Sequence, residues 1–206
     1  MNRLTIAIPT FRRPQDLKRA VSGVLEQAGE LVGGWSAEAR EPEGDAAGAA
    51  DTDGGAGRGV SDVEVLVIDN DAQGTGHEAA LAAAADAGVP VRSSAEAPEE
   101  PGGVGLRYVI EERPGVAAVR NRALDETGGR NLLVFIDDDE EPEPGWLAAL
   151  VGLWASTGCQ AVAGPVIPAY EVEPEAWVRQ GEFFVRRTWP TGTVRPVAAS
   201  NCLLLD

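Results

Sequence analysis

The chain has 206 residues, with 33 acidic against 17 basic side chains, a net charge of −16 and a pI near 4.4. That length suits one domain, and 44% apolar residues are enough for a sizeable core, which excludes a wholly disordered chain. The charge argues against general binding of nucleic acid or of anionic membrane, since the phosphate term would be repulsive. Cys159 and Cys202 are the two cysteines, with no CxxC or Cys/His cluster, so zinc and iron–sulfur sites are not expected and two reduced thiols are. No run of about 18 apolar residues occurs, and the apolar run after Arg3 is too short for a signal peptide, so no integral membrane segment is expected and the location reads as cytoplasmic.

Leu4 to Pro9 is a continuous apolar run closed by proline and reads as a buried strand. Thr10 to Pro14 is a loop, and Gln15 to Gln27 a helix with Leu17, Val21, Val24 and Leu25 at helical spacing. From about 28 to 61 the sequence is rich in Gly, Ala and acids without periodicity, which predicts a flexible insertion. Val63 to Ile68 is a second buried strand ending in Asp69-Asn70-Asp71. Glu78 to Ala87 reads as an Ala-rich helix and Val89 to Val91 as a short extended piece. A Pro/Gly/Glu-rich loop spans 92 to 105. Leu106 to Ile110 is a strand, Val116 to Glu126 a helix, and Leu132 to Ile136 a strand ending in Asp137-Asp138-Asp139-Glu140-Glu141. Pro144 to Ser156 is a helix on which Trp146 and Trp154 share a core-facing side, and Ala161 to Ile167 is a strand. Phe183 to Arg187 and Pro196 to Leu205 read as short strands or loops. Much of the excess of Gly (25) and Pro (14) sits in the two insertions.

Strands alternating with helices predict one α/β domain over residues 1–206, a mostly parallel sheet with helices on both faces. Ligands in such sheets bind at the carboxyl ends of strands. Three polar clusters lie there: Thr10–Arg12, Asp69–Asp71 and Asp137–Asp139. Adjacent carboxylates repel, and a divalent cation relieves that cost; the alternative is a solvated acidic turn before the next helix. Asp69 and Asn70 suit the N–H edge of a base or a ribose hydroxyl, or else close the strand with an Asx turn. Thr10, Phe11 and Arg12 supply a hydroxyl, an aromatic face and a guanidinium, fit for a base and a phosphate or for a simple connection.

The blocks IAIPTFRRP, VLVIDND, GVAAVRNRAL and LVFIDDDEEPEPGWL, in that order and spacing, resemble family 2 glycosyltransferases over about residues 4 to 167. The resemblance implies a GT-A-type, Rossmann-like sheet and inverting transfer of a sugar from a nucleotide-diphosphate donor to an acceptor hydroxyl. It implies nucleotide contacts from Thr10, Phe11, Arg12, Asp69, Asn70, Arg120, Asn121, Asp137 and Asp138, and a divalent cation, Mg²⁺ or Mn²⁺, on Asp137 and Asp139. The partners it implies are a nucleotide-sugar donor and an acceptor that is a glycan, a lipid-linked molecule or a small molecule. A lipid-linked acceptor would bring the chain to a membrane peripherally. Family members carry their general base in an acidic motif, often Glu-Asp, beyond a strand like Ala199–Leu205. None follows before Asp206, so the base is unassigned, the C-terminal acceptor part reads as incomplete, and a truncated nucleotide-sugar-binding domain without transferase activity is the alternative.

Other chemistries fit less well. A nucleotidyltransferase needs a Gly-rich phosphate loop after the first strand, where this chain has Thr10–Pro14. A phosphatase of the haloacid dehalogenase type needs a nucleophilic Asp near the N-terminus and a later Lys, and the one lysine is Lys18. There is no GxGxxG after the first strand and no GxSxG. The single histidine, His77, reads as a solvated residue near a helix start. Trp177 and Trp189 fall in the irregular C-terminal part, open to a sugar-stacking or a surface-packing role, and the acids from Glu171 to Glu175 read as a solvated loop.

Overall fold

A computed structural model describes residues 2–34, 59–93, 103–128 and 132–206. The chain runs β1 (Asn2–Thr10), α1 (Pro14–Gly34), β2 (Val60–Asp69), α2 (His77–Asp86), β3 (Val91–Arg92) and β4 (Gly103–Ile110). It continues through α3 (Val116–Thr127), β5 (Leu132–Ile136), α4 (Trp146–Thr157), β6 (Ala161–Ala163), α5 (Ala176–Gly181) and β7 (Cys202–Leu205). The seven strands form one sheet in the order β3-β4-β2-β1-β5-β7-β6. Neighbours from β3 to β5 pair in parallel, while β7 is antiparallel to both β5 and β6. The architecture is therefore the mostly parallel, helix-flanked sheet expected from the alternation of apolar runs.

Alternation along the strands assigns the faces. Leu4, Ile6 and Ile8 of β1 and Val63, Val65 and Val67 of β2 pack beneath α1, α2 and α4. Helix α1 meets them with Leu17, Val21, Val24, Leu25, Ala28 and Leu31, a stripe three and four residues apart. Burying each such Leu or Val contributes about 2 kcal/mol. The opposite face carries Ala7, Leu66, Ile68, Leu133 and Phe135 under Val119 and Ala123 of α3. Lower on that face, hydrophobic cover gives way to charge. Arg107 is buried and donates to Glu64 (2.9 Å) and Glu126 (2.5 Å), and Arg92 donates to Asp62 (3.0 Å). Each buried charge there has an opposite partner, as burial demands.

The helix α1 extends to Gly34, so residues 28–34, expected in the first insertion, are helical. The reason is local: Ala28 and Leu31 continue the apolar stripe for one more turn and are buried. Arg92 belongs to β3, and β4 begins at Gly103, which trims the second expected loop at both ends. Val60 and Ser61, expected in the first insertion, open β2, where Val60 is buried in the core; residues 35–58 and 94–102 of the two expected insertions lie outside the described residues. Phe183–Arg187 forms no strand, β6 stops at Ala163, and the short helix α5 was not expected. Trp154 is buried as its helical position implied, Trp146 is half-buried, and both cysteines are free thiols. No described helix is long and apolar enough to cross a membrane.

Candidate functional site

Chain order reverses at β1. From β1 the chain steps outward through β2 to β4, then returns to place β5 on the other side. The crevice at the carboxyl ends of β1 and β5 is thus a topological switch point, where open α/β sheets bind ligands. Thr10 ends β1, and Asp137 directly follows β5. They are joined through Asp138, whose Oδ2 accepts the Thr10 hydroxyl at 2.7 Å. Both residues are buried, so Thr10 and Asp138 fix the two strand ends against each other.

Around that bond the carboxylates differ in surroundings. Asp139 is exposed and takes a 2.6 Å hydrogen bond from Arg13 Nη1, which also lies 3.5 Å from Asp138. Asp137 is half-buried and pairs with Arg120 Nη2 at 3.4 Å. Burial raises the pKa of Asp137 above the ordinary carboxylate range, against the pull of Arg120 and with Asp139 adding to the rise. Burial likewise raises Asp138, opposed by the Thr10 hydrogen bond and the Arg13 charge. Glu140 is raised by burial too; it accepts the Asp137 N–H at 3.1 Å and the Asn201 side-chain amide at 2.5 Å. Arg120 also donates to the Ser200 hydroxyl and lies over the Phe135 ring, while its Nε–H is buried without an acceptor among the described residues. This end of β5 holds more charge than its own hydrogen bonds satisfy.

The end of β2 is organised the opposite way. Asp69 is fully buried, with Oδ1 accepting the Asp71 N–H (2.8 Å) and Oδ2 the Gly76 N–H (2.8 Å) and the Tyr108 hydroxyl (2.5 Å). Burial and the Asp69 charge raise the Tyr108 pKa, which keeps that hydroxyl a donor. Gly76 has no room for a side chain, since a Cβ would lie 2.8 Å from Leu17 and 3.0 Å from Asp69. Asn70 donates to the carbonyls of Glu111 and Arg113 (both 2.7 Å) and accepts from Gly115 N (2.8 Å). Gly115 precedes α3 with φ +106°, a conformation that favours glycine. Asp71 is bonded by Arg12 (3.2 Å), Thr75 (3.1 Å) and Gln73 N (3.3 Å), and the Arg12 bond leads in lowering its pKa. Arg113 grips Glu111 with side chain and backbone and holds its pKa down to about 2.

The residues singled out in the sequence therefore fall into groups. Thr10, Asp137, Asp138, Asp139 and Arg120 converge on the switch point. Phe11 and Arg12 lie exposed at its rim, the guanidinium 4.9 Å from the ring centroid. Asp69 and Asn70 face inward and hold loops. Asn121 is exposed on α3 beside Arg120. Sequence reading passed over Arg13, Glu140, Ser200 and Asn201. Arg13 and Glu140 stood beside residues that were singled out, but the ties of Ser200 and Asn201 span 80 and 61 positions and leave no local signal. Arg186 is a further cation whose charge reaches Asp137.

Among the described residues no three His, Cys, Asp or Glu side chains group to hold a metal. The donor set still suits a hard cation, because Mg²⁺ is commonly bound by one or two carboxylates plus substrate phosphates rather than by an all-protein cage.

Fold and site together describe an α/β domain whose switch point gathers carboxylates and arginines. More narrowly, residues 56–201 match the family model described as glycosyl transferase family 2, and the chain belongs to that family. It is 34% identical over 100 residues to the succinoglycan biosynthesis protein ExoM of Rhizobium meliloti (strain 1021), a match covering 48% of this chain and 32% of that protein. The chain thus matches about a third of the length of that curated relative. Among solved structures, it is similar to the mannosyltransferase PcManGT from Pyrobaculum calidifontis, determined with GDP-Man and Mn²⁺. Identity there is 20%, the TM-score 0.49, and coverage 79% of this chain and 35% of that one. Glucosyl-3-phosphoglycerate synthase of M. tuberculosis is similar at 18% identity and TM-score 0.45, with coverage of 79% and 44%.

Proposed function

We propose that this chain binds a nucleotide-diphosphate sugar and forms the donor half of an inverting glycosyltransferase acting on an acceptor hydroxyl. The observation that carries the reading is the under-satisfied charge at the β5 end, Asp137 and Asp139 beside Arg13 and Arg120, at the switch point of a family 2 chain. Asp137 and Asp139 would hold a divalent cation, Mg²⁺ or Mn²⁺, which when bound neutralises charge on a departing diphosphate. The chain's own residues account for the remaining roles. Arg120, held in place by Ser200 and Phe135, presents a guanidinium to phosphate oxygens. Arg13 leaves Asp139 when phosphate and cation arrive, its exposed side chain free to turn. Phe11 offers a face to the base and Arg12 a charge to the nucleotide. Asp69 and Asn70 act on the donor by fixing the loops that wall the site. Deprotonation of the acceptor requires a general base on the opposite face of the sugar, and we assign none within this chain. A glycan, a lipid-linked molecule or a small molecule satisfies the acceptor requirement equally.

Calorimetric titration with UDP, GDP and dTDP, with and without Mn²⁺, tests the donor site. One nucleotide is expected to bind in a metal-dependent manner, and Asp139→Ala to weaken it at least about tenfold, the loss of one charge-assisted contact. Failure of all three to bind in the presence of Mn²⁺ removes the donor-site assignment.

A further inference from the structure

Towards its C-terminal end the strongly acidic chain contains a stretch of opposite character. From Phe183 to Val197 it has Arg186, Arg187 and Arg195 and no acid at all. None of the three arginines makes an ion pair among the described residues; Arg187 and Arg195 instead lie over the Trp189 ring, at 5.5 and 4.0 Å. The same stretch exposes its apolar side chains: Phe183 is 65% exposed, Phe184 58% and Trp189 41%, with Val185, Val194 and Val197 more exposed still than Trp189. Trp177 of α5 joins them by edge contact with Phe183. Contiguous exposed aromatics on a soluble domain mark an interaction surface.

We propose that residues 183–197 form an arm that docks on an anionic lipid bilayer. Two properties select this partner. Trp and Phe beside Arg is the composition that partitions to the membrane–water interface, rings at headgroup depth and guanidinium groups on phosphates. The sign of the charge is segregated, so the arm meets an anionic surface free of the acids carried elsewhere. Glu182 borders the arm and Asp137 lies within reach of Arg186, while screening within about 8 Å at physiological salt keeps the remaining acids from cancelling the local attraction. A long nucleic acid would run beyond the arm onto the acidic remainder, which disfavours it. The global charge that argued against anionic membranes therefore does not describe this stretch. The arm returns to the sheet at Ser200 and Asn201, which bind Arg120 and Glu140, so a docked arm brings the switch point to the bilayer surface. The inference stands apart from the transferase reading, and it is tested without donor or acceptor.

The test is co-sedimentation of the 206-residue chain with phosphatidylcholine vesicles, with or without phosphatidylglycerol. Binding is expected to the anionic vesicles alone and to fall as salt rises. Each arginine near an anionic leaflet strengthens partitioning about fivefold, so Arg187→Glu with Arg195→Glu should weaken it about 25-fold or more. Phe184→Ser with Trp189→Ser should abolish it, with an unchanged circular dichroism spectrum excluding unfolding. Independently of those variants, brominated lipid should quench the tryptophan emission of the unmodified chain, and less so that of Trp189→Phe. Absence of vesicle binding overturns the proposal. So does equal binding by folded variants, tighter retention of single-stranded DNA than of vesicles, or a concentration-dependent dimer that the same substitutions abolish.

Discussion

Two acid-rich strand ends flank β1 in this sheet, and they use their carboxylates in opposite ways. At the end of β2, and at the adjoining end of β4, Asp69, Asp71 and Glu111 are consumed by the chain itself, each accepting bonds from backbone N–H groups and neighbouring side chains. At the end of β5, Asp137, Asp138 and Glu140 are partly buried with raised pKa values, and Asp139 is open to solvent. A carboxylate whose lone pairs are filled stabilises a loop. One raised by burial and short of donors gains most from an incoming cation or donor. The count of acids at a strand end therefore says little, and the number of internal donors aimed at them says much.

The largest expected effect follows directly. Asp69→Ala removes the acceptor for two buried backbone N–H groups and a phenol and should cost about 3 kcal/mol of stability. Asp139→Ala, at an exposed pair with Arg13, should stay within about 0.5 kcal/mol of the parent while losing metal-dependent nucleotide binding. Urea denaturation of both variants checks this. Equal losses at the two sites would break the contrast between scaffold and ligand-binding acids.

Proton titration sharpens the same contrast. Glu111, with a pKa near 2, should remain ionised well below the ordinary carboxylate range of about 4.3. Asp137 and Asp138 should take up protons above about 3.9. The linkage has opposite signs. The depressed groups, Asp71 and Glu111, contribute stability that is present above their unfolded pKa and lost as pH falls through the folded one. The raised groups favour the folded state at low pH, and that contribution is lost as pH rises through their folded pKa values. Carboxyl-carbon NMR titration should place the midpoint of Glu111 well below that of Asp138, and Mn²⁺ affinity should climb with pH through the Asp137 range. The reverse order of midpoints would refute the division.

Asn70→Ala comes next in size, at about 2 kcal/mol. It leaves the N–H of Gly115 unpaired and frees two carbonyls of the β4–α3 connection. Here the limit of sequence reading is plain. Strand ends, helix faces and the three polar clusters were legible because period 2 and period 3.6 register directly in the order of residues. The direction in which Asn70 and Asp69 point was not, since their partners at 108 and 111–115 lie some forty positions away and the connecting loop gives no sign of them. Likewise Glu64 sat in an apolar strand without its partner Arg107 being foreseeable, although the parallel pairing of β2 with β4 brings them together. The extra turn of α1 could have been read from Ala28 and Leu31, but the Gly-rich sequence beyond them masked the pattern.

The smallest effect tests the rim where the two regions meet. Arg12 is a non-glycine residue at φ +57°, a left-handed conformation that costs roughly 1 kcal/mol. Its side chain is mostly exposed, held by Asp71 and by the Phe11 ring. Arg12→Ala should lose the pairing and keep the backbone cost, whereas Arg12→Gly loses the same pairing and relieves the cost. Gly is therefore expected to be more stable than Ala at this position by about 1 kcal/mol, with some of that offset by the greater freedom of glycine in the unfolded chain. Both variants should release Asp71 toward an ordinary pKa, since the Arg12 bond is the leading cause of its depression. If Ala and Gly prove equally stable while Asp71 shifts in both, the loop relaxes out of the left-handed conformation once Arg12 is gone. The ion pair would then be what holds the turn, and Asp71 would count among the scaffold acids for that reason alone.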